Sequence, residues 1–399
     1  MSNKNHTSSL RAINIIIVLG IIFFAANLRA PITSVGPVIG EISEYLSLSK
    51  TAAGLITTIP LLAFGIMSGL VPKISERYGM ELILLLSLII LGIGLGVRSL
   101  GVISTLYIGS ILIGIAITFG NVLMPAFIKV NFPKSIGSIM GIYTVAMILS
   151  AALAGGFSIK IGKWTNIGWQ ASIGIWIILA IIGAMLWLPQ LKNKKSKQDA
   201  EQAKSEKLKI NLYKSKIAWA ITIFMGLQSL LFYCYSAWLP KVTQDWGLPA
   251  EAAGWIPSYI QFAQLPVTFI GSIIATRMRN QVLLSGITGI STILGITGFL
   301  IFKTQFILTW CILLGIGSGL AFTLCMLFFV LRTQSTLQAA KLSGMAQSIG
   351  YLIAATGPPI FGAIFDLYSS WTLSFLFLLF LSIVLLITGL MAGKDRYIS

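Results

Sequence analysis

The strongest constraint on this chain is the repeated occurrence of apolar stretches of about 20 residues, separated by short polar segments. A helix of that length crosses about 30 Å of hydrocarbon and satisfies its own backbone hydrogen bonds there. Of the 399 residues, 56% are hydrophobic and only 10% are charged, which excludes a water-soluble domain of this length. The sequence therefore predicts an all-α membrane protein with twelve transmembrane spans. Numbered 1 to 12, these predicted spans cover residues 13–40, 51–71, 80–98, 103–128, 137–159, 168–189, 217–240, 252–275, 281–302, 306–331, 342–365 and 370–392.

The net charge of +17 is high enough to raise the question of a nucleic-acid partner, so its distribution has to be considered. If the N-terminus lies in the cytoplasm, 21 of the 28 Lys and Arg residues fall in cytoplasmic segments. This asymmetry follows the positive-inside rule and predicts that both termini are cytoplasmic. Nucleic acid is not expected as a partner. The outer loops then hold Lys50, Arg98, Lys160, Lys163, Lys241 and Lys303.

Residue types that carry metal or covalent chemistry are scarce. Cys234, Cys311 and Cys325 all lie inside predicted spans, where a thiol behaves as a small apolar group. The single histidine, His6, lies in the N-terminal tail without a neighbouring ligand. No span holds paired carboxylates or a nucleophile beside a base. We therefore expect no cofactor, no metal site and no enzymatic activity.

A charged segment divides the chain in the middle. Residues 191–216 are rich in lysine and poor in apolar side chains, which predicts a cytoplasmic linker between a bundle of residues 1–190 and a bundle of residues 217–399. Tethering is the expected role, and a role in regulation or in binding lipid headgroups is the alternative.

The two halves repeat each other. Ala53-Gly54 recurs as Ala253-Gly254, Gly114 recurs as Gly315, and Gly141 recurs as Gly344, with offsets of 200, 201 and 203. Such order indicates an internal duplication. Six spans repeated once, with both termini inside, resembles the major facilitator arrangement.

Amide and charged side chains within the spans are few and unevenly placed. In lipid such groups are costly unless they face protein or a water-filled cavity, so they indicate a transport path. Spans 3, 6, 9 and 12 carry none away from their ends. In the major facilitator arrangement these four helices are peripheral. The polar positions are Asn27 and Arg29 in span 1, Asn121 in span 4, Gln228 in span 7, Gln261 and Gln264 in span 8, and Gln347 in span 11.

Arg29 is the one charge deep in a predicted span. In a continuous helix it shares a face with Thr33 and Pro37, whereas Asn27 points elsewhere. No Asp or Glu lies at comparable depth. A guanidinium without a carboxylate predicts a site for an anionic or strongly electronegative ligand. The alternative is an arginine held by carbonyls or amides for structure alone.

The glutamines within the spans have two possible roles. Gln228 occupies the position that the 200-residue offset pairs with Leu28, next to Arg29. Gln261 and Gln264 share one face of span 8, and Gln347 lies one turn before Tyr351. Each is expected either to line the substrate path or to join neighbouring helices by hydrogen bonds.

At the inner end of span 2, Glu76-Arg77-Tyr78-Gly79 resembles the D-R-x-G core of the major facilitator signature loop. In that family the loop latches the cytoplasmic side through charge and helix-end contacts. The resemblance implies this latch role for Glu76 and Arg77. Pro72, which stands where the motif usually has glycine, is a departure from the pattern.

Five further segments form a pattern that extends over nearly the whole chain: Asn27-Leu28-Arg29-Ala30-Pro31, residues 53–65, Gly120-Asn121 to Pro125, Gly226 to Pro240, and Gln347-Ser348 to Tyr351. Together they resemble the CynX and NimT family of bacterial carriers for cyanate and 2-nitroimidazole. Many members have N-L-R-P, where this chain has Ala30 before Pro31. The resemblance implies a small anionic or electronegative nitrogen-containing substrate and assigns its binding to Arg29, Asn121, Gln228, Tyr233 and Gln347.

Together these features predict a secondary transporter of the bacterial inner membrane that works by alternating access. Its expected partners are a small-molecule substrate and the bilayer, with no obligate protein partner. Coupling to protons stays open, because no buried carboxylate offers a proton carrier. The alternatives are an efflux carrier for a neutral toxic compound, and a membrane sensor that binds its ligand without moving it.

Overall fold

The structure is a computed structural model that describes residues 2–48, 50–192, 212–249, 252–253 and 255–398. Eleven stretches of this part of the chain are helical, long and apolar enough to cross a membrane. A further span is a bent pair, Thr58–Met67 and Val71–Tyr78, whose axes differ by 62°. The all-α fold and the twelve predicted spans are thus confirmed. The side of the membrane on which each terminus lies stays a prediction.

Each predicted span corresponds to one helix or to a short series of helices. Residues 193–211, most of the predicted linker, lie outside the described residues, as does Gly254 of the second Ala-Gly match. The helices are Ser2–Asn27, Ala30–Thr33 and Ile39–Tyr45 (span 1), Lys50–Met67 and Val71–Tyr78 (span 2), Met80–Arg98 (span 3), Ile103–Asn131 (span 4), Ile136–Thr165 (span 5), Trp169–Gly174 and Trp176–Trp187 (span 6), Lys216–Asp245 (span 7), Ile256–Arg277 (span 8), Val282–Phe302 (span 9), Ile307–Leu331 (span 10), Thr336–Tyr368 (span 11) and Trp371–Ala392 (span 12).

Contacts between residues divide the chain into two units. The first unit comprises Met1–Asn131 and Ile142–Ser205, and the second comprises Phe132–Gly141 and Glu206–Ser399. Within the first unit, span 4 packs against spans 2 and 3, and span 6 packs against spans 1 and 3. Within the second unit, span 10 packs against spans 8 and 9, and span 12 packs against spans 7 and 9. The second pattern is the first one advanced by six spans, as expected of a duplicated fold.

The repeated glycines of spans 4 and 10 show the same correspondence at atomic detail. A Cβ atom at Gly114 would lie 2.8 Å from the Cβ of Ala63 and from the Cα of Pro60. A Cβ atom at Gly315 would lie 2.5 Å from the Cβ of Ala263 and 2.7 Å from the carbonyl oxygen of Ile260. In both units, therefore, a glycine lets two helices approach until their backbones nearly touch.

A buried arginine fixes the C-terminal end of span 12 in the second unit. The Arg332 Nε donates to the carbonyl of Ala392 at 2.9 Å, and Nη2 donates to the carbonyl of Gly393 at 2.9 Å and to the side-chain oxygen of Gln281. The backbone N–H of Ile398 donates to the carbonyl of Arg332 at 3.0 Å. Burial lowers the pKa of Arg332 below its ordinary value, and Asp395 opposes that shift. The guanidinium is thus held by neutral oxygens.

We expect Arg332→Gln to lower the free energy of unfolding by about 2 to 3 kcal/mol, because hydrogen bonds from a charged donor to buried acceptors are lost. Thermal unfolding in mild detergent measures this loss. Arg279→Gln is the matched control, since the Arg279 side chain is 91% exposed and lies 3.5 Å from Asp395. An exposed pair contributes less than about 1 kcal/mol. Equal losses in the two variants would contradict the anchoring role of Arg332.

Candidate binding site

Span 1 is broken at the position of Arg29, contrary to the continuous helix that its periodicity suggests. The helix Ser2–Asn27 ends two residues before Arg29, and Arg29 precedes the short helix Ala30–Thr33 with φ −121° and ψ −42°. Pro31 has no backbone N–H and its ring excludes a regular α-helix through the preceding turn. The predicted face survives only between Arg29 and Thr33, whose backbone N–H donates to the carbonyl of Arg29 at 3.1 Å, and the 3-10 helix Gly36–Val38 interrupts it before Pro37. Arg29 still lies at the middle of the 31-residue stretch Ile15–Tyr45.

Side chains from other spans of the first unit bind the carbonyls that this irregular backbone leaves open. The Nη2 of Arg98, in span 3, donates to the carbonyl of Pro31 at 2.8 Å. The Oγ of Ser158, in span 5, donates to the carbonyl of Ser34 at 2.6 Å. Arg98 is 1% exposed, so this residue, assigned to an outer loop from the sequence, is a buried part of the bundle. The breaks in span 1 are thus stabilised by specific donors and hold Arg29 in a defined place.

Arg29 is half-buried and Asn121 is buried. A Cβ atom at Gly120 would collide with Phe24 and would lie 2.6 Å from the Cδ2 of Leu28, so spans 1 and 4 are in close contact at the residues that precede Arg29 and Asn121. In span 5, the phenol of Tyr143 lies within the electrostatic influence of Arg29. The cation and the amide are therefore next in sequence to the contact between spans 1 and 4.

Asn27 is directed away from this region. Its Nδ2 donates to the carbonyl of Phe23 at 2.8 Å and to the carbonyl of Leu179, in span 6, at 2.9 Å. The side chain is fully buried. Asn27 therefore joins span 1 to span 6.

In the second unit, Gln228 belongs to a buried cluster that contains two sulfur atoms. Its Nε2 donates to the Oγ of Ser229 at 2.7 Å and lies 3.3 Å from the Sδ of Met225. The thiol of Cys325, in span 10, also lies 3.3 Å from that Sδ. The amide nitrogen of Gln228 is thus occupied by neighbours on its own helix.

The glutamines of span 8 have different surroundings. Gln264 is buried and Gln261 is half-buried. A Cβ atom at Gly319, in span 10, would lie 3.1 Å from the Cγ of Gln264 and 3.3 Å from the Oγ1 of Thr268. Gln264 and Thr268 therefore share a face that packs on span 10, which is the arrangement of an interhelical contact.

Gln347 and Tyr233 lie in spans 11 and 7, which form a closely packed pair. Gln347 is fully buried and donates its Nε2 to the Oγ of Ser343 at 2.8 Å. Tyr233 is half-buried, and its ring centroid lies 5.5 Å from that of Phe232. A Cβ atom at Gly350 would lie 3.1 Å from the backbone nitrogen of Gly226. Gly350 and Gly226 thus bring spans 11 and 7 into backbone contact.

The predicted latch residues lie on the second helix of span 2, after the bend. Pro72 occupies the first turn of the helix Val71–Tyr78, where its missing N–H costs nothing, and Gly79 follows the helix with φ +88°. Arg77 is exposed, with its guanidinium carbon 5.3 Å from the centroid of the Tyr78 ring. Glu76 is half-buried. The geometry explains why proline is tolerated in this motif, and the latch role stays a prediction.

Arg29 and Asn121 thus lie on two spans of the first unit that are in close contact, whereas Gln228, Gln261, Gln264, Gln347 and Tyr233 lie in the second unit. A shared substrate site for these residues stays a prediction. Two residues of the first unit were missed from the sequence. Tyr143 carries a phenol, which a search for amides and charges passes over. Arg98 ends its span, where an arginine usually reaches water. Among the described residues, no three His, Cys, Asp or Glu side chains are close enough to hold a metal ion.

The chain has clear relatives. The sequence profile of the Major Facilitator Superfamily matches residues 15–355. The uncharacterised transporter YycB of Bacillus subtilis (strain 168) is 41% identical over 383 residues, 96% of this chain and 94% of that protein. The 2-nitroimidazole transporter of Escherichia coli (strain K12) is 34% identical over 385 residues, 96% of this chain and 97% of that protein. The cyanate transport protein CynX of the same organism is 24% identical over 368 residues, 90% of this chain and 92% of that protein.

A solved structure has the same fold. The proton:xylose symporter XylE superposes with a TM-score of 0.75 over 93% of this chain and 94% of that chain, at 14% identity. The twelve-span bundle with its duplicated packing is a multi-pass membrane transporter and not an enzyme. The chain belongs to the Major Facilitator Superfamily and resembles the cyanate and 2-nitroimidazole transporters within it.

Proposed function

We propose that this protein moves a small anionic or electronegative nitrogen-containing solute, such as cyanate, nitrite or a nitroimidazole, across the bacterial inner membrane. The observation that carries the proposal is Arg29, a charged residue held at a helix break in the middle of span 1. The named functions of the relatives, 2-nitroimidazole transport and cyanate transport, support the same substrate class.

The chemistry of such solutes suits a guanidinium. Cyanate and nitrite are compact anions with acceptor lone pairs, and a nitro group presents two acceptor oxygens. Arginine offers donors in a fixed planar fork and stays charged at any physiological pH. A positive charge in a half-buried position also favours an anion more strongly than the same charge in water does.

Transport of a single anion has a definite cost. Inward movement of one negative charge opposes the cell potential, which is negative inside, by about 2.3 kcal/mol per 100 mV. Uptake therefore requires co-transport of a proton, exchange against another anion, or rapid consumption inside the cell. Alternating access by two six-span bundles is the proposed mechanism.

The test is uptake of labelled cyanate, nitrite and 2-nitroimidazole into proteoliposomes, with membrane potential and pH gradient set separately. We expect Arg29→Gln to lower uptake by roughly ten- to a hundredfold, because a charge-assisted hydrogen bond to the solute is lost. Arg29→Lys keeps the positive charge but lacks the planar fork of donors of a guanidinium, and we expect it to retain part of the uptake.

Arg279→Gln is the control, since it removes an exposed arginine of the second unit. Normal uptake by Arg29→Gln would contradict the assigned role of Arg29. Binding without accumulation would instead support the sensor alternative. If the wild-type vesicles accumulate none of the three compounds, the proposed substrate class is wrong.

A further inference from the structure

Tyr143 is a buried polar side chain whose hydroxyl has no hydrogen-bond partner. The residue is 0% exposed, and its hydroxyl oxygen makes no hydrogen bond within the part of the chain that the structure describes. A buried hydroxyl usually has a partner, because leaving it unsatisfied forfeits the hydrogen bonds that it makes in water. In a carrier for which we propose small polar solutes, a ligand is one group that can supply the missing partner.

A comparison with a second buried tyrosine, Tyr235, shows how the surroundings of the Tyr143 hydroxyl differ. Tyr235, in span 7, is 4% exposed, and its hydroxyl also lacks a hydrogen-bond partner. The charged group that acts on the Tyr143 phenol is Arg29, whereas the group that acts on Tyr235 is the neighbouring thiol of Cys234. Both hydroxyls are thus buried and unsatisfied, and of the two it is that of Tyr143 that lies within the electrostatic influence of a mid-membrane cation.

The nature of the missing partner follows from the donors and acceptors present. A guanidinium has donors and no acceptor, so Arg29 cannot accept the proton of a phenol. The phenol can donate to any group with lone pairs, and a positive charge nearby favours a group that is negative or strongly electronegative. A small solute with several acceptor atoms can therefore accept a hydrogen bond from the phenol while it is attracted by the cation.

We propose that Tyr143 is a ligand-binding residue of the first unit, and that its hydroxyl donates a hydrogen bond to an acceptor atom of the same anionic or nitro-bearing solute that Arg29 binds. This inference rests on the proposed function and adds a neutral hydrogen-bond donor to the site that contains Arg29. Charge alone attracts every anion equally, whereas a phenol at a fixed place selects solutes with a second acceptor at the right distance. Tyr143 thereby contributes to specificity as well as to affinity.

The test compares Tyr143→Phe with Tyr235→Phe, since each removes one buried unpartnered hydroxyl and leaves the ring. We expect neither change to lower the thermal stability of the ligand-free protein, because no hydrogen bond of the ligand-free structure is lost. With cyanate, nitrite and 2-nitroimidazole as probes, we expect Tyr143→Phe to raise the half-saturating concentration about tenfold and Tyr235→Phe to leave it unchanged.

A double variant shows whether the two residues bind the same molecule. If they do, the loss in Arg29→Gln/Tyr143→Phe is smaller than the product of the two single losses, because the second change acts on a ligand already displaced. Losses that simply multiply, or an unchanged affinity in Tyr143→Phe beside a wild type that binds, would overturn the inference and leave the proposed function standing. A wild type that binds none of the probes overturns the proposed function and with it the role of Tyr143.

Discussion

Replacing Gly315 with leucine is expected to destabilise the second unit by at least about 3 kcal/mol, enough to remove most folded protein from the membrane. The new Cβ would lie 2.5 Å from the Cβ of Ala263 and 2.7 Å from the carbonyl oxygen of Ile260. A backbone oxygen within a helix cannot move aside as a flexible side chain can, so spans 8 and 10 must separate. Gly114→Leu in the first unit has the same expected effect through Pro60 and Ala63.

The measurement is the yield of monodisperse protein after detergent extraction, followed by thermal unfolding. Gly156→Leu is the matched control, because Gly156 lies on the helix of span 5 and no atom lies within 4 Å of its added Cβ. A leucine there also gains helix propensity. If Gly315→Leu extracts and unfolds as Gly156→Leu does, the two helices do not depend on this approach.

The spans and the duplication could be predicted because both follow from local properties of the chain. The bilayer requires about 20 apolar residues per crossing, so a sequence window alone locates a span. The glycine repeat could be recognised because Gly114 and Gly315 each allow two helices of their unit to pack closely. These glycines contact residues 60 and 63 in the first unit and residues 260 and 263 in the second. The contacted residues are offset by 200, as are Ala53 and Ala253 in the same spans.

The candidate site could be predicted only in part, because its geometry depends on contacts between distant residues. Arg29 was recognisable as a charge in lipid, but its direction was not, since Pro31 ends the helical period on which the prediction relied. The carbonyl that Arg98 binds becomes available only once that break exists. Tyr143 gave no signal in the sequence, because a tyrosine within a span is ordinary until its hydroxyl is found without a partner.

The first turns of span 5 group with the second unit. The helix of span 5 is continuous from Ile136 to Thr165, and its residues up to Gly141 belong to the second unit. Within that unit, the Oγ of Ser272, in span 8, donates to the carbonyl of Gly137 at 2.9 Å. A Cβ atom at Gly137 would collide with the Oγ1 of Thr276, and one at Gly141 with the Oγ of Ser272. Glycine at these two positions therefore lets the start of span 5 lie directly on span 8.

Gly137→Leu is therefore expected to destabilise the second unit by about 3 kcal/mol, because the new side chain meets Thr276 and the backbone carbonyl of Ser272, 2.8 Å from its Cβ. A backbone oxygen within a helix cannot move aside, so span 5 has to separate from span 8. Thermal unfolding in mild detergent measures the loss, and Gly156→Leu again serves as the control. If Gly137→Leu unfolds at the same temperature as Gly156→Leu, span 8 does not depend on this glycine.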